Sequence, residues 1–310
     1  MQPKIDLQII SENFKKNIIE NNGIIRFVDK NNYAKSFGEE WERFGRIQFD
    51  FFNENNLSYE RFLRTTGLTT NGLKGLKVLD AGSGAGRHSE SALKFNPAEL
   101  HAVDFSIAID QCKKNLQEAK YDLNNIYFYQ CSIDNLPFKD NTFDFIFCMG
   151  VIQHTMSPSK TLKELKRVLK PKGKIIVDTY KFSFKSYTYL QWFYRLIFKN
   201  LGYKKSNNLI RKFAPTIFPI HRKFMDIPIL SSLIWKLFPF DSKFPNLKLN
   251  REEELEWFKM SIEDGYLSEY IHTQTKRSFL KLANEVGLKY PEVVYQNFGD
   301  AAPLVLRAFK

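Results

Sequence analysis

The sequence predicts an α/β fold, a doubly wound seven-stranded sheet with a helical, basic and aromatic insertion after strand five. Three observations carry this. Between 76 and 181, five short apolar runs alternate with amphipathic segments, the pattern of βαβ units around a parallel sheet. Two more apolar runs lie close to the C-terminus, and between these groups the composition changes abruptly over 181–250. The 310 residues are 43% hydrophobic and 26% charged, too apolar for disorder and long enough for one large domain with an insertion.

Taken in order, residues 1–75 are a mixed helical lead-in. The first five strands are KVLDA (77–81), ELHAVDF (99–105), NIYFYQ (125–130), FDFIFCM (143–149) and KIIVDTY (174–180). One helix starts after Gly86, and a second runs over 107–120 behind a Ser106 cap. A third starts at Ser157-Pro158, where serine suits the N-cap and proline the first turn. It carries Leu162, Leu165, Val168 and Leu169 on one face and stops at Lys170-Pro171-Lys172-Gly173. After the insertion, Thr273 to Val286 reads as a helix ending at Gly287, followed by strands PEVVYQ (291–296) and PLVLRAF (303–309) that rejoin the sheet.

The segment 181–250 holds 13 Lys/Arg against Asp226 and Asp241, so it carries +11 of the chain's net +12, with 16 aromatic residues. Prolines at 215, 219, 228, 239 and 245 divide it into short pieces. Spacings such as Trp192, Leu196 and Ile197 predict that its aromatics build a core. Cys112, Cys131 and Cys148 have neither CxxC nor Cys/His spacing, which argues against a disulfide framework or zinc ribbon and suits a reducing cytosol. The N-terminus shows no apolar signal region, and no run reaches 18 apolar residues, so a cytoplasmic chain without a spanning helix is expected.

The strongest motif is the strand-to-helix turn VLDAGSGAGR (78–87). Glycines there let the backbone turn tightly and approach a ligand, with helix amides facing it. Arg87 stands where a dinucleotide fingerprint needs its third glycine. Asp80, two residues before Gly82, would repel a pyrophosphate but suits a cationic ligand, as the sulfonium and amino groups of S-adenosylmethionine are. Asp104, 18 residues after Gly86 at a strand end, is placed to accept both ribose hydroxyls.

With these motifs, 32–181 and about 255–310 resemble the class I S-adenosylmethionine-dependent methyltransferases, in the bacterial branch related to the ubiquinone/menaquinone-type enzymes. VLDAGSGAGRHS and HAVDFS resemble the first two motifs of that family, CSIDNLPF (131–138) its adenine-side loop, FDFIFCMGVIQHT (143–155) its fourth-strand motif and LKRVLKPKGKIIVDTY (165–180) its fifth. NYAKSFGEEWERF (32–44) is similar to a lead-in found behind a zinc ribbon whose cysteines are missing here. The resemblance implies a Rossmann-like methyltransferase sheet over 76–180 and 255–310, a lead-in over 1–75 covering the cofactor site, and a cap or substrate lid over 181–254. It implies S-adenosylmethionine as cofactor and no metal. Asp80, Gly82, Ser83, Gly84 and Gly86 would line its methionine end, Asp104 would hold ribose, and Phe105 would pack on adenine. Ser132 and Ile133 would face the adenine edge; an acidic residue is usual where Ser132 stands, with Asp134 next to it as a replacement. Met149 and Gly150 would pass under the sulfonium.

An oxygen nucleophile needs a base. His154, just after strand four, stands where the transferred methyl should emerge and is the catalytic candidate, the alternative being a histidine that only braces its loop. Asp178, Tyr180 and His272 are candidate substrate contacts. The (D/N)PP(Y/F) loop of enzymes methylating exocyclic amines is replaced here by CMGVIQ, which points to oxygen or carbon as the acceptor atom. The expected partner is a small-molecule or lipid- or sugar-linked acceptor, with peripheral contact to an anionic membrane through 181–250 and no nucleic acid. The competing functions are RNA methylation, with the basic insert as binding surface, and a non-catalytic scaffold that binds the cofactor.

Overall fold

The computed structural model describes residues 7–15, 18–28, 38, 41, 43–182, 190–240, 242, 249–296 and 303–310. Most of the segment 32–44 lies outside them. The chain divides into two compact units, Met1–Lys181 with Tyr270–Lys310, and Phe182–Glu269.

The first unit is built on a sheet whose described strands are β1 (Ile19–Asn21), β2 (Ile24–Arg26), β3 (Lys77–Ala81), β4 (Glu99–Asp104), β5 (Ile126–Gln130), β6 (Phe143–Cys148), β7 (Leu169–Thr179), β8 (Lys289–Tyr295) and β9 (Leu304–Phe309). Their spatial order is β1-β2-β5-β4-β3-β6-β7-β9-β8. From β2 to β7 the neighbours are parallel; β1 pairs antiparallel with β2, and β9 with both β7 and β8. All seven expected strands are present, and among the described residues β1 and β2 of the lead-in extend the sheet to nine, so the lead-in is not simply helical. After the short helix α1 (Glu12–Lys15) comes a hairpin closed by Asn22 and Gly23, both at positive φ (52° and 66°), as a two-residue turn between twisted strands requires. The hairpin buries Ile24, Ile25 and Arg26 against Phe128, Tyr129 and Gln130, covering what would otherwise be the sheet's edge.

The strands carry alternate side chains into two cores. On one face Leu79, Val103, Ile146 and Val177 meet Leu162 and Leu165 of α5 (Pro158–Val168) and Phe279 of α10 (Lys276–Val286). On the other, Val78, Leu100, Phe147 and Ile176 meet Phe62 of α2 (Leu57–Thr66) and Ile109 and Leu116 of α4 (Ala108–Glu118). A parallel sheet covered on both faces needs such continuous apolar runs. The caps follow the local chemistry. Ser157 accepts from the Lys160 amide with Pro158 in the first turn. The Ser106 hydroxyl accepts from the Ala108 amide, although Ile107 occupies the cap position itself. All three cysteines are buried, and burial pushes their thiols up.

The second unit contains α6 (Gln191–Leu201), α7 (Tyr203–Met225), α8 (Pro228–Leu237) and α9 (Arg251–Leu267). Its core gathers Ile210, Phe218, Phe240, Phe258, Ile262 and Tyr266, with Tyr194 and Phe198 packed against it. It ends at Glu269 rather than at 254, because α9 buries Phe258, Ile262 and Tyr266 in that core. Trp192 and Leu196, expected inside, lie on the exposed side of α6. The same helix turns Tyr194 and Phe198 inward instead.

Arg26 ties the hairpin to the sheet's working end. Its Nη1 donates to Gln130 Oε1 at 2.6 Å and its Nη2 to Asp110 at 2.6 Å, while Gln130 Nε2 donates to the Phe105 carbonyl at 3.2 Å. Arg26→Met leaves the buried Gln130 oxygen without this donor. Urea unfolding should show a loss of about 1–3 kcal/mol; an unchanged midpoint and slope would mean that the hairpin is held by its isoleucines alone.

Candidate functional site

The winding of the chain places the site. From β3 the chain moves through β4 to β5 in one direction, then returns to place β6 on the other side of β3. The loops leaving β3 and β6 therefore diverge, and ligands of open α/β sheets bind at such a point, outside the carboxyl ends of the strands.

The loop after β3 is fixed by β4. The amides of Gly82 and Ser83 both donate to the Val103 carbonyl at 2.8 Å. Gly84 donates its amide to Asp104 Oδ2 at 2.9 Å, and Ser106 donates its amide and hydroxyl to Asp104 Oδ1 at 2.8 and 2.7 Å. The Phe105 amide also donates to it, so backbone and side-chain donors hold the carboxylate rigidly from both sides. Burial raises its pKa, against the lowering effect of these donors.

Two glycines are demanded by packing. Gly82 has φ +92°, and a Cβ there would lie 2.4 Å from a Val151 methyl carbon. Gly86, φ +94°, would bring one 2.8 Å from Cys112 Sγ of α4. At Gly84, φ +52°, the nearest group is the Trp41 indole at 3.4 Å, so this position faces the lead-in rather than the core. Asn115 of α4 binds the loop from below, donating to the Ala85 and Gly45 carbonyls at 2.9 and 3.0 Å. Asp80 is buried under the loop and accepts from Ser89 of α3 (Arg87–Leu93) at 2.6 Å. Burial lifts its pKa to about 7, the Ser89 hydrogen bond opposes this, and the charge of Asp104 adds to it. Ser83 is also buried, with its side chain beside the Cys112 thiol of α4.

The family described as "Methyltransferase domain" matches residues 73–212. This span begins just before β3 and includes every glycine of the loop, Asp104 and His154. Over residues 73–212 the chain is therefore similar to methyltransferase domains. Among curated relatives, the tRNA U34 carboxymethyltransferase of Campylobacter curvus is 33% identical over 165 residues, covering 52% of this chain and 52% of that protein. The ubiquinone biosynthesis O-methyltransferase of Coxiella burnetii is 35% identical over 119 residues, covering 38% of this chain and 49% of that protein. The chain thus spans about half the length of these relatives. A SAM-dependent methyltransferase from Aquifex aeolicus superposes with a TM-score of 0.45 at 16% identity, over 90% of this chain and 99% of that one.

Within the matched span the remaining predicted residues take distinct places. Phe105 follows Asp104 and is partly exposed beside it. Ser132 accepts from the Asp134 amide at 3.2 Å, and Ile133 is buried in the first core. Asp134 is buried and accepts the Thr161 hydroxyl, so its carboxylate is engaged at α5 rather than standing in for the acid missing at 132. Met149 is buried in the second core. Gly150 is exposed at φ +74° with open space around it, and its amide donates to Asp178. Asp178 is 1% exposed and also accepts from Arg61 of α2 at 2.9 Å. It therefore straps the ends of β6 and β7 to α2, a structural use that leaves little of it for a substrate.

His154, Tyr180 and His272 come together. His154 sits in the single 3₁₀ turn after β6, buried, with its ring edge-on to Tyr180 at 5.5 Å. Its Nδ1 lies 3.0 Å from the Tyr270 carbonyl. A carbonyl only accepts, so Nδ1 carries the hydrogen and Nε2 is the basic nitrogen. The His272 amide donates to the Gln153 carbonyl at 2.8 Å, and the His272 ring stacks on Tyr270. Sequence reasoning missed Trp41, Arg26 and Arg61. Of these only Trp41 had a signal, as part of the lead-in resemblance.

These residues fit S-adenosylmethionine. A carboxylate fixed by the loop's own amide stands at a strand end, and beside it the loop turns through three glycines at positive φ, which leaves its backbone open to close approach. The buried Asp80 gives a prediction. The folded pKa of Asp80, about 7, exceeds its unfolded value of about 3.9. The folded state therefore binds the proton more tightly, and its stability falls as pH rises from about 4 to about 7. Asp80→Asn should gain on the parent by at least about 1 kcal/mol across that window, measured by denaturant unfolding. A constant difference would show that Asp80 is ionised throughout.

Proposed function

We propose that the protein is an S-adenosylmethionine-dependent methyltransferase that methylates oxygen or carbon on a small-molecule or lipid- or sugar-linked acceptor in the cytoplasm. The observation that carries this reading is the cradle in which Asp104, at the end of β4, accepts the Gly84 amide of the β3 loop. In it, Asp104 and the loop amides hold the nucleoside and the methionine tail. The cofactor, when bound, supplies a methyl group activated by its positive sulfur, and alignment in a dry pocket does much of the catalysis.

The domain's own residues supply the rest. His154 Nε2 takes the proton from an acceptor hydroxyl, and the Tyr270 carbonyl holds the tautomer that leaves Nε2 basic. Tyr180 and His272 line the same end. The helical unit, which leaves the first unit after Lys181 and returns at Tyr270, selects the acceptor; support comes from where it is inserted, just beyond the carboxyl end of β7. RNA methylation is the second reading, favoured by the named tRNA relative and by the +11 charge of 181–250.

Titration calorimetry with S-adenosylmethionine and its demethylated product tests the cradle. Asp104→Ala should weaken both by about 1–3 kcal/mol; equal binding by parent and variant would place the ribose elsewhere. Incubation with radiolabelled methyl donor and fractionated cell extract tests the acceptor. Label is expected in lipid or small-molecule fractions and to fall about a hundredfold or more with His154→Gln at unchanged cofactor affinity. Label in the RNA fraction would replace the first reading by the second.

A further inference from the structure

We infer that the helical unit docks on an anionic lipid surface through the solvent face of α7. At about 100° per residue, Lys205, Leu209, Lys212, Phe213, Ile220 and Lys223 fall in one stripe about 100° wide. Phe213 is 46% exposed and Ile220 53%, while Lys205, Lys212 and Lys223 are exposed beside them. The opposite side of the helix is the one used for packing, with Ile210, Ala214, Phe218 and His221 buried. The helix thus has two apolar faces, one filled by the unit's own core and one in solvent between lysines. Of the 19 exposed large hydrophobic side chains among the described residues, 12 belong to this unit, and Leu209, Phe213 and Ile220 of these share the stripe.

Charge and side-chain type select the occupant. The segment 181–250 carries +11; the acids of α9 bring the whole unit to +5, and the lysines of the stripe favour an anionic partner. Beside one aromatic, Phe213, the stripe offers Leu209 and Ile220, aliphatic groups that neither stack on bases nor hydrogen-bond them, and its cations are lysines. Two arginines of the unit are occupied internally: Arg195 donates to the Gly265 and Ser268 carbonyls, and Arg222 to Glu254. Arginine and aromatic platforms would serve RNA better. Among the described residues no helix is long and apolar enough to cross a membrane. A helix of this kind lies in the interface, its apolar groups at the acyl boundary and its lysines at the headgroups.

Co-sedimentation of the full chain with phosphatidylcholine vesicles, with and without phosphatidylglycerol, tests this, with circular dichroism confirming that each variant is folded. The parent should pellet only with the anionic vesicles and be released by salt. Phe213→Ser/Ile220→Ser keeps every charge and should bind at least about tenfold more weakly. Lys205→Glu/Lys212→Glu/Lys223→Glu should abolish binding. A parent that stays in the supernatant at low salt overturns the proposal, as does undiminished binding by the serine variant. Binding of a tRNA transcript that displaces the vesicles and ignores the serine variant would assign the face to nucleic acid. None of these outcomes depends on the cofactor reading, which calorimetry tests separately.

Discussion

The hydrogen bond from the Gly84 amide to Asp104 is the constraint on which the rest of the site depends. It joins the loop after β3 to the end of β4, and the Ser106 amide and hydroxyl hold the same carboxylate from the other side. A backbone turn and an acidic side chain thereby become one rigid object before any ligand arrives. Loop, strand end and helix start are fixed by the same few atoms. That preorganisation is what allows a glycine turn, flexible in isolation, to present its amides in a single arrangement.

Close packing extends the constraint across the sheet. Val151, on the loop after β6, occupies the space that any side chain at Gly82 would need. The two diverging loops are therefore locked together at the switch point. Gly150 is held in turn by Asp178, and Asp178 by Arg61. His154 follows within the same short turn, so a candidate base is positioned by a chain of contacts that begins at the sheet. All three acids hold the frame: Asp104 ties the loop to β4, Asp80 binds Ser89, and Asp178 joins Gly150 to Arg61.

The fold was legible where a segment's environment is uniform along its length. The five parallel strands read correctly because both faces are buried, and each contributes an unbroken apolar run. The glycine loop was legible because its requirement is a property of the backbone. The hairpin β1–β2 was missed although Asn22-Gly23 between isoleucines announces it; its strands are three residues long, and their burial comes from β5, about a hundred residues away. The boundary at Glu269 was missed because α9 places polar groups inside. Glu263 is buried against Asn207 at 2.8 Å, which blurs the apolar period that would have marked the helix as part of the second unit. The ion pair of Asp178 is hidden from the sequence for a related reason. Its partner Arg61 lies 117 positions earlier, and no local pattern reveals such a pair.

Hydrogen exchange of the backbone amides, with and without S-adenosylhomocysteine, tests the central claim most directly. If the loop and the end of β4 form one preorganised cradle, amides 82–86 and 104–106 should already be slowed in the free protein. They should slow further together on ligand binding, while the ends of β8 and β9 stay unchanged. Fast exchange of the loop in the free protein, or protection that appears elsewhere on the sheet when ligand binds, would contradict the account.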